Sequence, residues 1–598
     1  MGGKWFISFA FLLLAVPVRA QWSGHLDLSG GYGLMPAREA EERERLDHGL
    51  IQLNGRIQYK NPQWTWKTTL DGKWEPKGTD SERAASKNDI EAVVKESRTR
   101  PLTVGLRSDL SWTPGADRKY DSWIRYQYKY DEANNQTLRL NLSLDWDDGK
   151  ASYYYEQPLL SEHLVAAGVQ TSHQLGAPWR VLLSSLSLEA TMNQQYNLWS
   201  VTKAEGFSAE TLEEDIDATS WVYRITPQKT DLNTSGLVHL RDSVLRGPVK
   251  LVLDPGVRVA SQHNLDMNSG ATLDLELFEK TGEEVWRDSV RLRERFDYRT
   301  LRLEPYLAAD FSWQALQAHV DYALQFYSRR LNDDDHTQRL SLYGVYPVGN
   351  GSISWRPSGR HRLSLNNRLS VAHPDYYKIC WYERTGGYLN QLYRGNDKLR
   401  STVTRLYSLE YEFKPGRFSS NTTLSVTRRK NETEQTWKNE EIEGRLYKVF
   451  TWINAADGWT LGATERLGWS GKVVSAHLGV GYNRTRRTAR ETGAVKETFD
   501  WNLTADASVE LGRGWNIRSD VRYQSKVATF FSMFNEYCVL NARVQKRFPR
   551  FTVYLEGRDL LDNVRVTSFE SADGKEKWVE SVRNNRRLVV LGLSWDIK

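Results

Sequence analysis

Residues 64–74 read WTWKTTLDGKW. One face carries Trp64, Trp66, Thr68, Leu70 and Trp74, and the other carries Thr65, Lys67, Thr69, Asp71 and Lys73. A period of two marks a strand whose faces meet different surroundings. The pattern recurs outward along the chain. Residues 136–147 set Leu138, Leu140, Leu142, Leu144 and Trp146 against Thr137, Arg139, Asn141, Ser143 and Asp145. Residues 405–413 set Tyr407, Leu409, Tyr411 and Phe413 against Ser408, Glu410 and Glu412, and residues 418–426 set Phe418, Leu424 and Val426 against Ser419, Asn421, Thr423 and Ser425. The chain closes on Val589, Leu591, Leu593, Trp595 and Ile597.

Two kinds of connection separate these runs. Some are short: Asn61-Pro62-Gln63, Asp148-Gly149, Gly176-Ala177-Pro178, Lys414-Pro415-Gly416 and Gly512-Arg513-Gly514. Others are long and charged: 35–48, 76–100, 203–218, 264–298, 374–403, 429–442, 486–498 and 558–586. The two kinds broadly alternate. Short turns on one rim and long loops on the other are the layout of a transmembrane barrel. Runs of 9–11 residues match a tilted crossing, and Trp and Tyr gather near run ends, where interfacial girdles lie. A soluble sandwich would bury its apolar faces against each other. The reading is an all-β fold. It is a large antiparallel transmembrane β-barrel of about 22–24 strands, with short periplasmic turns and long extracellular loops. Residues 200–300 leave the count open, and Glu39–Leu46 reads as a short solvated helix or charged loop.

Composition agrees. Of 598 residues, 26% are charged, which excludes a helical membrane protein, and 23 Trp, 29 Tyr and 18 Phe exclude a disordered chain. The one long apolar run is N-terminal. Lys4 precedes an apolar core from Trp5 to Pro17, and Val18-Arg19-Ala20 has small residues where a signal peptidase reads. Residues 1–20 are therefore expected to be a signal peptide cut between Ala20 and Gln21, with the barrel over 21–598. Net charge is +6 and spread along the chain, which points to no nucleic acid partner. The two cysteines, Cys380 and Cys538, make no disulfide scaffold and no thiol–metal site, and leave a single bridge open.

No chemical motif stands out. No two of the 11 histidines lie within four residues of each other, so no helical metal pair exists. Gly468-Trp469-Ser470-Gly471-Lys472 fails the nucleophile-elbow pattern at its last position. Asp145–Gly149 lacks a calcium ligand series, Asn332–Asp335 is an acidic loop tip, and Gly30-Gly31-Tyr32-Gly33 is followed by no helix. No catalytic, cofactor-binding or metal-ligating residue is assigned, and no cofactor is expected. One loop is rich in aromatics: Tyr376, Tyr377, Trp381, Tyr382, Tyr388 and Tyr393 cluster in 374–403. Tyr376, Trp381, Tyr382, Tyr388 and Tyr393 are its candidate ligand contacts, because flat rings bury well at low entropic cost.

Some stretches resemble a known group. Phe551–Asn563, with Gly557-Arg558-Asp559-Leu560-Leu561-Asp562, is similar to the penultimate barrel strand of TonB-dependent receptors. Gly395-Asn396-Asp397-Lys398-Leu399 is similar to their Gly-Asn-Pro-x-Leu loop, and Ala372-His373-Pro374-Asp375-Tyr376 to the Arg-Pro-Ser-Tyr turn. Asn454 to Leu467, with Gly462 and Glu465, resembles their long Asn…Gly-x-Glu-Leu strand. Leu593, Trp595 and Ile597 look like the closing signal that barrel assembly machinery reads, although Lys598 stands where an aromatic is usual. The resemblance covers 372–598 and implies a barrel in the outer membrane of a Gram-negative cell. Its lipid partners would be outer-membrane lipid and lipopolysaccharide. Strand-like sequence starts at Trp22 and Leu26, so a barrel without the family's plug is expected. A separate plug or a surface lipoprotein is then an expected partner. Three functions follow as expectations: porin-like solute transport or the barrel part of an envelope complex, a non-transporting surface binding or scaffold barrel, and an outer-membrane hydrolase.

Overall fold

The computed structural model describes residues 21–597 except 36–45, 75–78, 88–89, 100, 116–117, 132–133, 143–148, 175–180, 206–221, 246–247, 274–280, 282–284, 289–293, 334–337, 380–382, 386–390, 443–444, 562–563, 571–576 and 585–587. Among the described residues, 22 strands form the wall. In chain order they are Gln21–Met35, Leu46–Lys60, Trp64–Trp74, Pro101–Gly115, Arg118–Asp131, Gly149–Gln174, Val181–Glu205, Val222–Leu245, Val249–Leu273, Glu294–Trp313 and Leu316–Asp333. The second half is Gln338–Ser358, His361–Ala372, Thr402–Phe413, Phe418–Ile442, Arg445–Ser470, Val474–Ala489, Val495–Gly512, Trp515–Gln524, Tyr537–Arg547, Phe551–Arg558 and Leu588–Ile597. Each pairs antiparallel with the next. The last strand pairs back onto the first, with Leu28 opposite Leu593 and Leu26 opposite Trp595. The ring is closed, so no sheet edge is left to lipid.

Alternation fixes which face is which. On Leu316–Asp333, Val320, Tyr322, Leu324 and Phe326 are exposed, while Ala323, Gln325, Tyr327, Arg329 and Leu331 are buried. Register carries the exposed row across the sheet: Leu363 pairs with Tyr411 and Leu365 with Leu409, and Leu409 pairs in turn with Leu424. An apolar belt on the outside and a polar, charged inside are the reverse of a soluble fold, and only lipid makes such exposure favourable. Trp112, Trp313, Trp355, Trp469, Trp515 and Trp595 are outward-facing and exposed, each near a short turn. Trp64 stacks on Trp112 at 5.1 Å, and Trp112 on Tyr120 at 5.2 Å. These rings form the periplasmic girdle.

The turns have local causes. Asn61 closes its turn by accepting from the backbone N–H groups of Gln63 and Trp64 at 2.9 and 2.6 Å. Gly512, Arg513 and Gly514 all sit at positive φ, 79°, 48° and 81°, where glycine is least strained.

Strand length varies around the ring. Arg445–Ser470 has 26 residues and Phe418–Ile442 has 25, far more than a crossing needs, so their upper halves stand outside the membrane. Trp64–Trp74 and Tyr537–Arg547 have only 11, and Phe551–Arg558 has 8. On that side, hairpins from the loops rebuild the wall. Ser532–Phe534 pairs with Val564–Glu570, which pairs with Lys577–Asn584. The ladder continues through Thr79–Lys87, Ile90–Thr99 and Asn134–Leu142 to the start of Gly149–Gln174.

Several expectations change here. Residues 136–142 are not a wall strand, and 143–147 lie outside the described residues. Asn134–Leu142 belongs to this outer ladder, and Asp148 lies outside the described residues. An outer hairpin covered on one face alternates as well as a membrane strand does. The charged stretch 429–442 is strand, not loop, and of 486–498 only 490–494 is a turn, with 486–489 and 495–498 in strands. Above the membrane both faces of a strand are wet, so charge no longer signals an end. The ambiguous region 200–300 holds wall strands Val222–Leu245 and Val249–Leu273. Residues 1–20, Glu39–Arg45 and Cys380 lie outside the described residues, and Cys538 stands opposite Tyr523.

Candidate functional site

The inner wall carries the chemistry. Arg258 donates to Asp321 at 2.6 Å, and its guanidinium lies 3.9 Å from the Tyr306 ring. His239 meets Asp254 at 2.5 Å, His319 meets Asp310 at 2.7 Å, and Arg241 reaches Asp310 at 3.3 Å. Tyr306, Ala308 and Ala323, with Leu237 and Val348, make a small apolar patch among them. Strands supply these groups at every second residue: His239–Asp254 and His319–Asp310 join neighbouring strands, and Arg258 and Arg241 each reach across one intervening strand. Among the described residues, no group of three or more His, Cys, Asp or Glu is placed to hold a metal.

The aromatic-rich loop folds onto this inner face. Its short helix, Tyr376–Ile379, buries Ile379 completely. Ile379 and Leu399 close over Phe296, Tyr298 and Leu331, all on inward positions of the wall. Tyr376 packs against Tyr298 at 5.7 Å, and Tyr377 edges Trp452 at 6.4 Å. Lys378 lies 4.7 Å above the Trp452 ring. Gln391–Arg394 adds a parallel strand to Lys448–Thr451, and Tyr393 stacks on Phe450 at 5.1 Å. Arg394 donates to Glu440 at 3.0 Å. A hydrogen bond from Lys438, with Arg394 beside it, holds the Glu440 carboxyl below its usual range.

The root of the loop is a polar latch. His373 lies flat on Tyr327. Its Nε2 donates to Gln325 Oε1 at 2.8 Å, and its Nδ1 accepts from Ser401 Oγ at 2.8 Å. Gln325 passes the chain on to Glu304 at 2.6 Å. Burial, helped by the charges of Arg302 and Arg329, pushes His373 down to about 4, so the ring is neutral and one nitrogen is left to accept. Asn431, at φ 56°, ties the far end: its side chain donates to Ser401 O, and its N–H donates to Asp457. A second loop, 525–536, folds in beside it. The Glu434 carboxylate accepts from the N–H groups of Phe530 and Phe531 and from Thr529 Oγ1. Arg487 bridges Glu432 and the Ala528 carbonyl.

Of the candidate contacts, Tyr376 and Tyr393 serve as packing for the folded loop, while Trp381, Tyr382 and Tyr388 lie outside the described residues. Ala20 also lies outside them, and Gln21 opens the first strand opposite Lys60. Leu593 and Trp595 face lipid on the closing strand, and Ile597 pairs with Gly24. Sequence reasoning assigned no role to His373, Gln325 or Ser401. These residues are 28 and 48 positions apart, and no local pattern links them. Ser401 beside His373 gives no hydrolase centre. The serine is 3% exposed, and the far ring nitrogen meets an amide, not a carboxylate.

A closed antiparallel ring of this size, apolar outside and charged within, defines a large outer-membrane β-barrel. The sequence agrees: residues 278–595 match the model of the outer membrane protein beta-barrel family, and the chain belongs to that family. Its place is therefore the cell outer membrane. No curated protein matches the sequence. Solved structures are similar in fold. The siderophore receptor PiuA from Acinetobacter baumannii aligns with TM-score 0.60 and 9% identity, covering 96% of this chain and 82% of that one. The siderophore receptor PirA from Pseudomonas aeruginosa gives 0.54 and 10%, covering 95% and 81%. The copper transporter OprC gives 0.60 and 8%, covering 97% and 84%. These neighbours are receptors and transporters, and at such identities the likeness is one of fold.

Proposed function

We propose that this protein is a solute-translocating barrel whose mouth is narrowed by the latched loop 373–401. The observation that carries the reading is the loop's position: Ile379, Leu399 and His373 all pack on inward-facing residues of the wall. At a strand spacing of about 4.8 Å, a ring of this size is roughly 40 Å across, too wide for one loop to seal. A separate plug or surface lipoprotein would complete closure in the cell, and the charged inner wall would pass a hydrated solute. Liposome swelling with neutral sugars of graded size tests this. Uptake through folded barrels supports it, and impermeable liposomes carrying folded barrels contradict it. The second reading is a surface binding barrel. It is favoured by the outer ladder of hairpins, which builds a continuous wall where the strands are short.

A further inference from the structure

The outward face of strands 402–489 changes character at one level. Reading across the register, Leu409, Leu424, Ala463 and Tyr482 form one apolar row, and Tyr407, Val426, Leu461 and Arg484 form the next. The row above is Arg405, Arg428, Trp459, Arg486 and Glu497. Lys430 stands one step higher on the same face. Arg428 is ten residues above Phe418, about 34 Å along the strand and about 24 Å along the membrane normal at a 45° tilt. That is the height of the apolar band, so the basic row lies at its outer edge.

The charges there are unbalanced. Arg484 pairs with Glu497, and Asp457 is engaged by the Asn431 N–H. Among the described residues, no ion pair is formed by Arg405, Arg428 or Lys430. Arg405 and Arg428 are direct cross-strand partners and both are exposed. Like charges directly opposite one another are destabilising, unless an anion sits between them. Directly beneath is a depression of about 500 Å³ on the lipid side, lined by Leu409, Leu424, Val426, Leu461, Ala463 and Tyr482. Ala463, the small residue between Leu424 and Tyr482, leaves the space that makes the depression.

We propose that Arg405, Arg428 and Arg486 dock the phosphorylated headgroup of a lipopolysaccharide molecule in the outer leaflet, with one of its acyl chains in the depression below. Guanidinium groups bind phosphate oxygens in bidentate fashion, and three of them in one row, Arg405 and Arg428 side by side with Arg486 beyond Trp459, match a headgroup carrying two phosphates. The apolar depression supplies the second half of an amphiphile site. Height, charge and shape thus all select an anionic glycolipid rather than a soluble anion.

The test uses the full chain, folded in detergent and stripped of lipid. Native mass spectrometry then titrates it with a defined lipopolysaccharide and with the same lipid dephosphorylated. The triple substitution R405Q/R428Q/R486Q leaves the Arg484–Glu497 pair in place. Tighter binding of the phosphorylated lipid by the unsubstituted protein, lost at least tenfold in the triple variant, is the expected result. Ala463→Trp fills the depression and is expected to weaken both lipids while keeping the preference for phosphate. Equal affinity for the two lipids, or an unchanged affinity in the triple variant, overturns the proposal. So does retention of an acidic soluble protein or polysaccharide in place of the lipid. Heat-modifiable gel migration reports folding. If the triple variant does not fold, the comparison of the two lipids on the unsubstituted protein still decides.

Discussion

His373 and Tyr327 are stacked face to face, with ring centroids 3.5 Å apart and planes within 2°. The contact joins the root of an extracellular loop to an inward position of the barrel wall. Gln325 and Ser401 fix the ring from both nitrogens, so the loop is held by packing and hydrogen bonds together. Replacing His373 by Ala removes about 2 kcal/mol of local interaction, roughly thirtyfold in the opening of the loop. Limited proteolysis of intact cells is expected to cut within 373–401 far faster in the variant, with gel migration of the barrel unchanged. Equal cutting rates would show that the latch does not hold the loop.

Protonation acts on the same latch. Burial, with Arg302 and Arg329 nearby, lowers His373 to about 4, against about 6.5 when the loop is released. The released state therefore binds the extra proton. The stabilisation is complete above about pH 6.5 and is lost as pH falls from there toward 4. Loop cutting is expected to rise between pH 7 and pH 5, and the rise is expected to vanish in H373A. A pH dependence that persists in H373A would assign it to another group.

The second inward loop depends on one carboxylate. Glu434 is 9% exposed and accepts from two N–H groups and one hydroxyl. Glu434→Ala leaves the Phe530 and Phe531 N–H groups without partners, at a local cost of about 2–4 kcal/mol. Chymotrypsin is expected to cleave at Phe530–Phe531 in the variant and not in the parent, and resistance in both would contradict this.

Closure of the ring predicts a covalent link. Leu28 and Leu593 are register partners on the first and last strands. Paired residues of antiparallel strands stand about 4.5–5.5 Å apart, within reach of a disulfide. With Cys380 and Cys538 changed to Ser, L28C/L593C is expected to oxidise and resist heat unfolding on a gel. The offset pair L28C/L591C is expected to link poorly.

Much of this was legible because it is local. The two faces of 64–74 are the two faces of the wall, since a period of two needs only neighbouring residues. Placing 136–142 in the wall has the same origin, because an outer hairpin shares that period. Charge misled the reading of 429–442, where a strand runs on beyond the membrane. The latch and the arginine row were not legible. His373, Gln325 and Ser401 meet only through the ring, and Arg405, Arg428 and Arg486 align only once register is known.

The central claim is that a latched loop narrows a wide lumen, and single-channel conductance in a planar bilayer tests it most directly. The unsubstituted protein at pH 7.5 is expected to show small or flickering steps, and H373A larger, steady ohmic ones. Identical conductance in the two, from barrels of proven fold, would contradict the account.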